Sequence, residues 1–128
     1  VQQRVLLLGL EQATTAALET ALPSGAFEVC VLSSLEPAEV RAAIEQFRPS
    51  VICAPANSPE SRRALQAAGA RTPFIAVSAK PNPKEWLEAL QGGASDYFGP
   101  PFDQQQVRWV LQSATNGSGM PTILSLTA

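Results

Sequence analysis

The sequence predicts an α/β fold: a doubly wound, five-stranded parallel sheet in the order 2-1-3-4-5 with helices on both faces. Three observations lead there. Short apolar runs alternate along the chain with stretches of helical periodicity. The runs are continuously apolar, as in parallel strands covered on both faces. Proline, glycine and small polar residues mark the junctions, and the spacing suits right-handed crossovers between parallel strands.

Each element has its own signal. Arg4 to Gly9 (Arg-Val-Leu-Leu-Leu-Gly) is the first strand. Residues 11–22 follow as a helix with Ala13, Ala17, Leu18 and Ala21 toward the core, ended by Pro23-Ser-Gly25. Phe27 to Leu32 is the second strand. Pro37 opens a helix in which Val40, Ile44 and Phe47 recur at helical spacing, and Arg48-Pro-Ser50 breaks it. Val51 to Ala54 is the third strand. Asn57 or Ser58 caps the next helix, with Pro59 at its first position and Ala64, Leu65 and Ala68 facing inward until Gly69. Pro73 to Val77 is the fourth strand. Asn82-Pro83 starts a helix that Gly92-Gly93 stops, Asp96 to Phe98 is a short fifth strand, and Asp103 caps a last helix. Residues 1–115 form one domain, and 116–128 read as a linker and the start of a following segment.

Composition narrows the function. With 128 residues, 45% of them hydrophobic, the chain can bury its own core. A net charge of −2 gives no basic face for nucleic acid. No apolar run approaches the ~20 residues of a membrane span, and no signal peptide is visible, so a cytoplasmic location is expected. Cys30 and Cys53 lie in strand-like runs and read as small buried hydrophobes, without metal-ligand spacing. There is no histidine, which removes the commonest general base and metal ligand.

The segment from Gly93 to Asp103 (Gly-Ala-Ser-Asp-Tyr-Phe-Gly-Pro-Pro-Phe-Asp) carries the sharpest motif. It resembles the "GA-x-D-Y-(two residues)-K-P-F" signature of response-regulator receiver domains, the CheY-like superfamily. The resemblance extends through element order over residues 4 to 115, and it implies the same fold. It also implies a phosphorylation site, which needs carboxylates at the ends of strands one and three to hold a divalent cation. A hydroxyl and a lysine must further bind the phosphoryl oxygens. In this chain the acidic pair is replaced by Gly9 and Leu10, ahead of Glu11. The acceptor position falls on Pro55, or on Ala54 with a one-residue slip, and the lysine position on Pro100. Ser78, followed by Ala79, and the switch aromatic Tyr97 match the family. The resemblance therefore implies a pseudo-receiver that cannot be phosphorylated, is not an enzyme and holds no metal or cofactor. The Pro100–Pro101 bond stands where the family's lysine–proline bond is usually cis.

Other site classes find little support. Gly9-Leu-Glu-Gln-Ala after the first strand contains neither a phosphate loop nor a dinucleotide fingerprint. An alternative function is a flavodoxin-like domain binding flavin or another small ligand, of which Thr14-Thr15 is a faint echo inside a helix. The carboxylates, Glu85 and Asp96 among them, are scattered and read as solvated surface.

What remains is a binding surface. In the last helix Val107, Val110, Leu111 and Ala114 form the core stripe. Trp109 lies ~100° from its centre, pointing outward beside Gln105, Gln106 and Gln112. An exposed tryptophan among uncharged amides suits an interface anchor. In receivers the face formed by helix four, strand five and helix five is the usual dimerisation or output surface. Trp86, Tyr97 and Trp109 belong to it here, and a protein partner or a second copy is expected on it. Trp86 competes with Leu87 and Leu90 for the core.

Past the linker, Pro121 to Ala128 turns strand-like. It reads as a frayed tail, an added edge strand or the first strand of a following domain. It resembles the opening strand of ParA/MinD-type ATPases. A degenerate receiver followed by such an ATPase is the layout of TadZ/CpaE-type pilus-assembly proteins.

Overall fold

The computed structural model describes residues 3–22, 27–56, 58–67, 72–100 and 102–115. Among them strands and helices alternate: β1 (Gln3–Leu8), α1 (Gln12–Ala21), β2 (Phe27–Leu32), α2 (Pro37–Phe47), β3 (Val51–Pro55), α3 (Pro59–Ala67), β4 (Phe74–Val77), α4 (Pro83–Gln91), β5 (Asp96–Phe98) and α5 (Gln104–Thr115). The strands form one parallel sheet in the order β2-β1-β3-β4-β5, as predicted.

Side chains of a strand alternate between sheet faces, and this divides the core. Val5 and Leu7 of β1, with Val51 and Cys53 of β3 and Ile75 and Val77 of β4, meet Leu18 of α1 and Val107, Val110 and Leu111 of α5. On the other face Leu6, Leu8 and Ile52 meet Val40 of α2 and Ala64 and Leu65 of α3. A third cluster lies under α4 and is made of small residues, Ala76, Ala89 and Ala94, together with Tyr97.

Helix ends follow the sequence signals. The Ser58 hydroxyl accepts the Ser61 amide at 3.2 Å, and Asp103 Oδ2 accepts the Gln106 amide at 3.3 Å. α2 closes on Arg48, whose φ of 52° is left-handed, before Pro49. Gly93, at φ +102°, turns the chain out of α4.

α1 departs from the expected pattern. Ala13 and Ala17 are exposed, and only Leu18 and Ala21 of this helix are buried. Thr14, Leu18, Ala21 and Leu22 take the inward stripe, Thr14 at the cleft, which turns Ala13 and Ala17 outward. In α4 the competition for the core is settled against Leu87, which is 51% exposed. Ala68, the side chain of Ala114, residue 101 with its expected cis bond, and the strand-like stretch 121–128 lie outside the described residues. No described helix is long and apolar enough to cross a membrane.

Candidate functional site

The carboxyl ends of β1, β3 and β4 open into a cleft of about 430 Å³. In a doubly wound sheet this is where ligands are bound. Leu10, Glu11 and Thr14 border it after β1, Pro55 after β3, Ser78, Ala79 and Lys80 after β4, and Asn82 and Glu85 at the start of α4.

Gly9 has a left-handed φ of +65°, and its amide donates to the Leu32 carbonyl at 2.8 Å, extending the β1–β2 ladder. A β-carbon there would lie 2.8 Å from Leu35 Cδ2. Leu10 is half-buried and packs against the core shared by α1 and α5. The two positions expected to replace an acidic pair are thus a turn glycine and an apolar anchor. Pro55 is half-buried at the end of β3, past the last β1–β3 pair, Leu7 with Cys53, so its missing N–H falls where that ladder has ended. The carboxylates bordering the cleft are exposed Glu11 and half-buried Glu85. Among the described residues no cluster of three or more Cys, Asp or Glu side chains is placed to hold a metal ion.

Ser78 is buried, and its amide donates to the Phe98 carbonyl at 2.8 Å, tying the end of β4 to β5. Its hydroxyl accepts the Lys80 amide at 3.1 Å, a local turn that aims the loop back over the cleft. Gly99 lets the chain after β5 pass close by, because a β-carbon there would meet the Ser78 carbonyl oxygen and the Pro81 ring.

Tyr97 is 6% exposed, so it supports the α4–β5–α5 face from beneath and does not lie on it. This corrects the expectation that it shares that surface with the tryptophans. Its ring fills the space that the alanines under α4 leave. Its hydroxyl donates to Glu85 Oε1 at 2.7 Å and accepts the Asn82 amide at 3.1 Å. Burial first, and then the Glu85 carboxylate, push the Tyr97 phenol above its ordinary pKa, while Ser78 and the Asn82 amide pull it down.

Two carboxylates therefore differ from the expectation of solvated surface. Asp96 is 3% exposed, because β5 starts beneath the turn leaving α4, and its Oδ1 accepts the Tyr97 amide at 2.8 Å. Glu85 is drawn in by the tyrosine. Glu85, Asn82 and Lys80 are the site residues that the sequence reading passed over. The available signal was Asn82-Pro-Lys-Glu85, a capping-box spacing that sends the third helical residue back toward the loop. Pro100 is exposed. Trp86 is half-buried against the cluster under α4, and Trp109 is 49% exposed on α5.

No family model matches the chain, and no curated protein matches it either. Solved structures do. A response regulator from Desulfuromonas acetoxidans aligns with a TM-score of 0.74 at 22% identity, over 89% of this chain and 97% of that one. The signal receiver domain of the putative response regulator NarL from Mycobacterium tuberculosis aligns at 0.71 and 19% identity, over 91% and 98%. The receiver domain of a sensor histidine kinase from Pseudomonas aeruginosa, solved with a magnesium ion coordinated in its active-site cleft, aligns at 0.68 and 23% identity, over 91% and 99%. Together with the strand order, these likenesses give the chain the fold of CheY-like response-regulator receiver domains.

Proposed function

We propose that this chain is a pseudo-receiver: a module with the receiver fold that accepts no phosphoryl group and works by protein contact. One observation carries the reading. The strand ends that would need carboxylates for phosphoryl chemistry bear Gly9, Leu10 and Pro55, whose side chains can neither attack a phosphorus centre nor bind a cation. Pro100, at the lysine position, cannot neutralise phosphoryl oxygens. Of the carboxylates bordering the cleft, Glu85 is already engaged by Tyr97.

Function then moves to the surface. Leu87 of α4 and Trp109 of α5 are large apolar side chains left exposed on the two helices that flank edge strand β5. Gln105, Gln106 and Gln112 around Trp109 can be desolvated without burying charge. A protein partner or a second copy seats on this face. The wider setting we favour is a cytoplasmic pilus-assembly or signalling protein, with residues 121–128 leading into a following domain of the TadZ/CpaE layout.

Sedimentation of wild type and Trp109→Ala, alone and with partner, tests the contact face. A central aromatic anchor contributes ~2 kcal/mol or more, so association should weaken at least ~10-fold while the melting temperature holds. Unchanged association beside a large loss of melting temperature would make Trp109 a structural residue and remove the proposal. A Gly-Gly-x-Gly-Lys-Thr-like run in the natural sequence beyond residue 128 would support the ATPase setting, and any other continuation ends it.

A further inference from the structure

We propose that Tyr97 completes the capping box of α4 and that Glu85 is the positioning residue that fastens this helix to the sheet. In an ordinary capping box the side chain of the third helical residue accepts the amide of the N-cap residue directly. Here half of the exchange is present: Asn82 Oδ1 accepts the Glu85 amide at 2.9 Å. The other half runs through the phenol. The Asn82 amide donates to the Tyr97 oxygen at 3.1 Å, and the Tyr97 hydroxyl donates to Glu85 Oε1 at 2.7 Å. One hydroxyl both accepts and donates, so it satisfies two groups of the helix terminus that would otherwise seek each other or water. Because Tyr97 belongs to β5, the cap is a tether between helix and sheet.

The tether matters because α4 is seated at its start. Ala89 is its one buried residue, and half-buried Trp86 packs with Phe74 against a cluster of alanines and the tyrosine ring. The phenol joins this packing to the helix terminus, whereas α5 is anchored by three fully buried aliphatic side chains, Val107, Val110 and Leu111. The preceding loop is fixed at its other end by the Ser78 amide on the Phe98 carbonyl. Loop, helix start and edge strand thus move together while the phenol bridges them. The inference concerns how α4 is seated and stands whether or not a partner docks there.

Hydrogen exchange on the intact chain tests it. Tyr97→Phe and Glu85→Ala should each raise amide exchange across residues 82–88 by roughly fivefold, the scale of one lost hydrogen bond, with β1 and β3 unaltered. The double variant should exchange no faster than Tyr97→Phe, which already removes both bonds of the phenol, and Glu85→Gln, whose amide oxygen still accepts, should recover part of the protection. Absorbance titration reads the phenol directly, because Tyr97 is the only tyrosine in the chain. Its midpoint should fall in Glu85→Ala, which keeps Ser78 and Asn82 beside the phenol, and stay put in the exposed-site control Glu88→Gln. Unchanged exchange in Glu85→Ala, additive effects in the double variant or an unmoved midpoint would each overturn the proposal. If Tyr97→Phe fails to fold, the Glu85 variants and the titration decide alone.

Discussion

Tyr97 holds its proton because the neutral phenol is the form that both burial and the Glu85 carboxylate favour. Its folded pKa lies above the unfolded value of about 10, so the folded state binds more protons in the interval between them. The stability it contributes is therefore complete below about pH 10 and is lost as pH rises through the folded pKa. Cys53, pushed up to about 12 by burial, contributes with the same sign above its ordinary 9.0. Melting temperatures from pH 8 to 12 should fall in wild type and fall less in Tyr97→Phe, the difference isolating the phenol from the thiol. Equal slopes would show that Tyr97 titrates as freely when folded as when unfolded. At this scale the sequence was legible for the places of Ser78 after β4 and Tyr97 in β5, though not for the burial of the Tyr97 ring. It was not for Asp96 and Glu85. A carboxylate looks alike in sequence whether it meets water or a phenol, and the burial of these two depends on how α4 and β5 pack and not on their own residue type.

Among the elements, α5 was legible because Val107, Val110 and Leu111 alternate cleanly with glutamines. α1 was not, because alanine carries too weak a preference to show which side of a helix turns inward. Strand β5 raises a sharper question, since a three-residue strand has little ladder of its own. It is held by Ile75, Ala76 and Val77 of β4 on one side and by the close pass of Gly99 under the β4–α4 loop. Gly99→Ala would drive a β-carbon into the Ser78 carbonyl, a backbone atom that cannot rotate away. A loss of ~1–3 kcal/mol is expected in denaturant unfolding, the usual cost of overpacking. The loss should be accompanied by faster amide exchange in residues 78–82. A variant as stable as wild type would show that the loop shifts freely.

For the molecule as a whole, strand order was the most legible property, since alternating strands and helices leave few topologies once crossovers are right-handed. For the cleft, the sequence showed which side chains stand at the strand ends and not what the cleft takes. With Gly9, Leu10 and Pro55 at the strand ends, acetyl phosphate with magnesium should add no phosphate-sized mass to the intact chain. Beryllium fluoride should leave its amide spectrum unmoved. A modified aspartate or strong shifts around Ser78 would return the protein to the phosphorylatable receivers. The cleft that remains carries Lys80 and Glu11 at its rim, so weak electrostatic binding of salts there should cause small, salt-dependent shifts distinct from a site-specific response.

Gly9 also sets what it would take to build an acid into this cleft. An aspartate placed at residue 9 would have to adopt a left-handed backbone, which costs most residues of order 1 kcal/mol, although aspartate tolerates it better than most. Leu35 could swing its methyl aside, but the main chain, held by the Gly9 amide on Leu32, could not follow so cheaply. Arming the cleft is therefore a loop redesign and not a single substitution. Whoever attempts it on this scaffold must recast the β1–α1 turn before placing a single acid in it.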